Sequence, residues 1–146
     1  MSSGAVANLR TDLGRRAAPL AGGAAMLAAG AFVAARDPAA PGSPFPTCAF
    51  RQATGLWCPG CGLTRGFHEL AHGHLGAALS YNVFTPVAAV AIVFAWVGWL
   101  RFSWRLPAFD LPARFGRTAA FVVPAVLILY AVLRNIPAAP LRSLAP

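Results

Sequence analysis

Val83-Phe-Thr-Pro86-Val-Ala-Ala-Val-Ala-Ile-Val-Phe94-Ala-Trp96-Val-Gly-Trp99-Leu100 is eighteen residues without a charge. Wound as an α-helix at 1.5 Å per residue it is about 27 Å long, close to the hydrocarbon thickness of a bilayer. Pro86 falls in its first turn, where a missing N–H costs little. Asn82 just before it reads as a helix N-cap. Trp96, Trp99, Phe102 and Trp104 gather at the far end, as an interfacial aromatic belt does. This run predicts a membrane-spanning helix over 82–100.

The composition around it agrees. Of 146 residues, 58% are hydrophobic and 11% charged, against about 25% charged in an average soluble domain. A soluble fold of that balance would expose large apolar patches. The net charge of +8 comes from arginine alone, since the chain has no lysine. The arginines stand in ones and twos at the ends of apolar runs rather than in one stripe. That placement suits topology determinants and does not suit nucleic-acid binding.

Two further runs complete the membrane reading. Ala17–Ala35 is uncharged between Arg15-Arg16 and Arg36-Asp37, about 28 Å as helix. Its glycines (Gly22, Gly23, Gly30) would let another helix approach closely. Small residues such as Ala29-Gly30-Ala31 also resemble a signal-peptide cleavage site, but the run is long for a signal core and more spans follow, so an uncleaved span is expected. The third run, 118–136, contains Pro124 as a bend and ends near Arg134, which is expected to snorkel.

The expected organisation is therefore an all-α polytopic membrane protein with about three transmembrane helices. A short N-terminal tail covers 1–16, and spans cover 17–35, 82–100 and 118–136. A Cys/His-rich loop with short amphipathic helices covers 36–81, a basic loop 101–117 and a tail 137–146. Pro38, Pro41, Pro44 and Pro46 make the start of the Cys/His-rich loop a stiff connector. Phe45, Phe50, Leu56, Trp57 and Phe67 are expected to dip into the membrane interface. Seven arginines fall on the side of the N-terminus and five on the side of the 36–81 loop. The positive-inside rule then places the N-terminus in the cytoplasm and the loop outside it.

All three cysteines, all three histidines and the only glutamate lie between Cys48 and His74. Cys58-Pro59-Gly60-Cys61 is a C-x-x-C, which serves either as metal ligands or as a dithiol. Its spacing lets two thiolates hold one tetrahedral Zn2+ at bonds of about 2.3 Å. Thr64 reads as a helix N-cap and Gly73 as a stop, which puts His68 and His72 on one helical face with Arg65 and Glu69. Cys58, Cys61, His68 and His72 thus form a candidate metal set, with Cys48 as a substitute ligand. If the pair is redox-active, Cys58 and Cys61 are the exchanging thiols and Cys48 the resolving one. The plain alternative is buried cysteines and hydrogen-bonded histidines.

His68-Glu69-Leu70-Ala71-His72 also fits H-E-x-x-H, the zinc metallopeptidase helix. There two histidines bind zinc and the glutamate activates water. Gly73 ends the helix at once, and so small a chain offers little cleft. Arg65, after a Gly-rich turn, would suit an anion such as a lipid phosphate, or else an i,i+4 pair with Glu69.

Cys58-Pro59-Gly-Cys61-Gly62-Leu-Thr64-Arg65, with Cys48 upstream and His68, His72, Ala77-Ala78-Leu79 and Asn82 downstream, resembles a family of small bacterial membrane proteins. That family is a domain of unknown function defined by a C-P-x-C-G-x-T-R signature between hydrophobic spans, and the resemblance covers about residues 45–100. It implies an inner-membrane location and no settled activity. Members with the histidine pair often have Asp in place of Glu69, and Asp or Asn is common in place of His74. The resemblance therefore implies neither a peptidase base at Glu69 nor a ligand at His74. The function expected is a small integral membrane protein whose loop, stabilised by Zn2+ or a disulfide, contacts the bilayer and a membrane-protein partner or a second copy. Thiol–disulfide exchange and zinc peptidase chemistry are the alternatives.

Overall fold

Alanine, the strongest helix former, is the commonest residue from Ser3 to Ala35, and α1 (Ser3–Ala35) runs through that stretch without interruption. The computed structural model describes residues 3–109 and 112–137. The segment expected as a tail, 1–16, is thus helical from Ser3, because nothing between Ser3 and Arg16 breaks a helix. Pro19 sits inside α1 and removes one backbone donor. After the proline-rich connector come three short helices, α2 (Ala49–Thr54), α3 (Leu63–Ala71) and α4 (Leu75–Tyr81). Two long ones follow, α5 (Thr85–Ser103) and α6 (Ala113–Arg134). Among the described residues there is no strand.

Three helices are long and apolar enough to cross a membrane, over Asp12–Ala35, Thr85–Ser103 and Arg114–Arg134. Their side chains face outward: Leu27 is 77% exposed, Phe102 79% and Phe121 75%. In water that surface would drive association, whereas in lipid it is the solvent-facing side. The chain is a multi-pass membrane protein whose apolar helices meet the bilayer. α6 begins and ends earlier than the expected span 118–136. Arginines 114 and 117 do not stop a helix; Pro112 precedes its start and Asn135 caps its end. Asp110 and Arg142, and nearly all of the expected tail 137–146, lie outside the described residues.

α1 and α5 pack through glycines. A Cβ at Gly22 would lie 2.5 Å from the Trp99 ring, and one at Gly23 would lie 2.7 Å from the Trp96 ring. The indole N–H of Trp96 donates to the Pro19 carbonyl at 2.8 Å, and that of Trp104 to the Arg16 carbonyl at 3.2 Å. So Trp96 and Trp104 bind α1 rather than forming a simple interfacial belt. Gly30 has open space about it and takes no part in the packing. Arg105 reaches Asp12 at 3.7 Å at the same end of the pair.

The short helices sit as a cap on the opposite end. α3 packs on α1, α4 and α5, and Phe67 lines an apolar groove of about 750 Å³ with Met26 of α1 and Ile92 of α5. Gly66 lies directly against the side chain of the buried Thr85, so α3 has room to meet the start of α5 only because position 66 has no side chain. α6 joins this cap near its own C-terminal end. There Tyr130 meets Phe84 edge-on at 4.8 Å, and Arg134 and Asn135 reach into the Cys loop.

Candidate metal centre

Cys48 precedes α2 with extended backbone, and α2 ends at Gly55, whose φ of 72° turns the chain back. The return brings Cys58 beside Cys48. Within Cys58-Pro59-Gly60-Cys61 the Cys61 N–H donates to the Cys58 carbonyl at 3.1 Å, closing a tight turn. Gly62, at φ 87°, then starts α3 as its N-cap. A residue with a Cβ would be strained there. Thr64, expected as the N-cap, lies instead inside the first turn.

The turn brings three sulfurs together. Cys58 Sγ lies 3.0 Å from Cys61 Sγ and 3.4 Å from Cys48 Sγ. All three lie within 4.8 Å of one another. Cys61 is buried, and Cys48 and Cys58 are half-buried. Among the described residues this is the one group of three or more Cys, His, Asp or Glu side chains close enough to share a metal ion.

Their surroundings separate the thiols. Burial, aided by hydrogen bonds within the sulfur triangle, pushes the Cys61 thiol up to about 12. Cys48 is lowered to about 7, chiefly by the Arg51 backbone amide and then by the other two thiols. This happens without a closed side-chain cap on α2.

Distant residues hold the turn's backbone. Asn82, 1% exposed, donates its side-chain amide to the carbonyls of Pro59 at 2.8 Å and Cys61 at 3.0 Å. Its own side-chain oxygen accepts the Phe84 N–H at 3.0 Å. Asn82, the expected cap of α5, does hold the backbone at the entry to that helix, although the N-cap residue proper is Phe84; it also ends α4 and anchors the C-x-x-C turn. Arg134, 2% exposed, donates through Nη1 to the carbonyls of Cys61 at 2.9 Å and Cys58 at 3.2 Å. Its Nη2 reaches the Tyr81 carbonyl at 3.4 Å. The expectation that Arg134 snorkels is overturned, because the loop folds over it and its donors are used on loop carbonyls. Asn135 pairs with the backbone of Trp57, accepting its N–H and donating to its carbonyl, each at 2.8 Å.

The histidines stand elsewhere. His68 Nδ1 lies 2.8 Å from the Val33 carbonyl, an acceptor, so Nδ1 carries the proton and the ring caps the C-terminal turn of α1. His72 Nδ1 donates to the His68 carbonyl at 2.8 Å. The two rings touch at 4.5 Å, as the i,i+4 spacing predicts. Neither histidine belongs to the sulfur group. Glu69 pairs with His74 at 3.0 Å rather than with Arg65, whose guanidinium lies 5.9 Å from the centre of the Tyr81 ring. Pro59, Gly62, Thr64 and Arg65 all fall in the turn or the first turn of α3. Arg134 and Asn135 were missed as site residues; the one signal was a charge and an amide at the end of an apolar run.

The fold and the cluster define an integral membrane protein with a cysteine-rich cap between its spans. Residues 48–96 match the family model described as a protein of unknown function (DUF2752). The match begins at Cys48 and ends at Trp96, so it takes in the three cysteines, α3, α4 and the first part of α5. α1 and α6, with Arg134 and Asn135, lie outside it. No curated protein and no solved structure matches the chain.

Proposed function

We propose that the cap is a metal-stabilised element on the membrane surface, with Cys48, Cys58 and Cys61 holding one thiophilic ion such as Zn2+. The convergence of three sulfurs from two separate segments carries this reading. A disulfide uses only two of them, whereas a single ion uses all three. Held in this way, the cap presents Phe50 and Leu56, each 49% exposed, as a rigid face for a membrane-protein partner.

A second reading, thiol–disulfide exchange, draws on Cys58 lying between the other two sulfurs. Attack by the Cys48 thiolate on a Cys58–Cys61 disulfide would expel the Cys61 thiolate. A thiol pushed up to about 12 is a poor leaving group, which ranks this reading second. Peptidase chemistry draws no support, since Glu69 is engaged by His74 and, among the described residues, no third ligand joins His68 and His72.

The protein is proposed to sit in a bacterial inner membrane with the N-terminus cytoplasmic and the cap outside. The distribution of arginines, seven on the side of the N-terminus and five on the side of the cap, supports this orientation. The test is side-specific thiol labelling of intact cells, with and without a zinc chelator. Thiols shielded until the chelator is added, then labelled from outside, are the expected result. Free labelling without chelator would sink the metal reading, and labelling only after reduction would favour the disulfide.

A further inference from the structure

Among the described residues, Arg134 is a buried ion with no anion beside it. It is 2% exposed, and its Nε has no hydrogen-bond partner. Among the described residues no carboxylate pairs with it. Tyr130 and Trp57 stand beside the guanidinium, at 5.0 and 6.0 Å from their ring centres. Carbonyls satisfy part of its donor set but cannot cancel its charge, and a buried charge persists only when something compensates it. Two of those carbonyls belong to Cys58 and Cys61 themselves.

We infer that Arg134 is the fixed counter-charge of the cysteine cluster, and that the site therefore takes a divalent thiophilic cation as a three-thiolate complex. The inference rests on the metal reading above and adds to it. Three thiolates around a divalent ion leave one net negative charge, which one guanidinium cancels. A monovalent ion would leave two, and a trivalent ion none. Arg134 is a positioning residue here: it touches the backbone of two of the ligands, and its own burial keeps its charge from being screened. It also ties α6 to the state of the loop, so metal loading and docking of the last span stabilise each other.

The experiment uses the full chain in lipid nanodiscs, with Zn2+ affinity measured by competition against a chromophoric chelator. Co2+ is the spectroscopic probe, through its thiolate charge-transfer band. Wild type is expected to bind one ion per chain. Arg134→Gln is expected to lose about ten- to a hundredfold in Zn2+ affinity, the range for an outer-shell partner. Arg134→Lys, which keeps the charge, is expected to lose far less. Asn82→Ala, which frees the same turn without changing charge, serves as the structural control.

If wild type binds no ion, the metal reading itself fails. If wild type binds and Arg134→Lys falls as far as Arg134→Gln, or neither falls, the counter-charge is overturned while the metal site stands. Should Arg134→Gln not fold, Arg134→Lys decides: affinity near wild type supports the inference, and a loss as large as that of Asn82→Ala overturns it.

Discussion

Arg134 and Cys61 are 73 residues apart, yet the guanidinium of one donates to the backbone carbonyl of the other at 2.9 Å. Asn82 donates to that same carbonyl at 3.0 Å. The last residue of α6 and the joint between α4 and α5 therefore close on one oxygen, and the C-x-x-C turn is held from outside itself. A loop between spans is ordinarily among the least stable parts of a membrane protein. Here it is where the helices are joined.

Asn82→Ala tests that joint. It removes the side-chain donor to the part-buried Pro59 carbonyl, one of the two side-chain donors to the Cys61 carbonyl and the acceptor of the Phe84 amide. Leaving buried polar groups unsatisfied costs about 1–3 kcal/mol each before relaxation. We expect destabilisation of about 2 kcal/mol, on that scale, in denaturant unfolding of the detergent-solubilised protein. Asn82→Asp should be no milder, because it loses the donors and faces a carboxylate toward the two carbonyls.

Cysteine reactivity should be unequal in the metal-free protein. Cys48 is lowered to about 7 and Cys61 raised to about 12 from an ordinary 9.0. A lowered thiol is mostly thiolate above its pKa, so alkylation of Cys48 should rise through pH 7 and level off above it. Cys61 should stay unreactive until the protein is strongly alkaline. The linked stability has the opposite sense for Cys61. Its raised value leaves folding unaffected below about 9, and stability is then lost between 9 and 12 as the unfolded thiol ionises first. Mass-spectrometric alkylation rates at each cysteine across pH check the order; equal rates would refute it.

The spans were legible because the bilayer imposes a length, and uncharged runs of that length are visible without knowing any contact. The cysteine turn was legible for a similar reason: C-x-x-C is local geometry. What could not be seen is what depends on the chain returning. Arg134 at the end of an apolar run looks like any snorkelling arginine, and only the loop folding over it makes it a buried cation. Asn135 pairs with Trp57, 78 residues earlier, and no spacing rule reaches that far. The histidine pair does meet at one side of a helix end, as its spacing predicts. Its role was hidden because the partner of His68 is a carbonyl on α1.

Ligand identity separates the cysteines from the histidines. Cys48→Ser, Cys58→Ser and Cys61→Ser should each abolish stoichiometric zinc, since the three sulfurs form one group. His72→Ala and Glu69→Gln should leave zinc content unchanged. His68→Ala should also keep zinc but cost about 1 kcal/mol through the lost hydrogen bond to Val33. Zinc content after exhaustive dialysis, with unfolding midpoints beside it, checks all six. Loss of zinc in His72→Ala would return the histidines to the ligand set.

The packing of α1 on α5 gives a test independent of the cap. Trp96 lies against Gly23 and donates to the Pro19 carbonyl. Gly23→Val would place branched carbon where the indole now stands, and overpacking of this kind costs about 1–3 kcal/mol. The indole can escape only by giving up its bond to Pro19, so both terms oppose folding. In a Trp96→Leu background the ring is already gone, and the same glycine change should cost markedly less. A double-mutant cycle read by unfolding in detergent measures the coupling. Additive effects would mean that the two residues do not meet in the membrane-embedded protein.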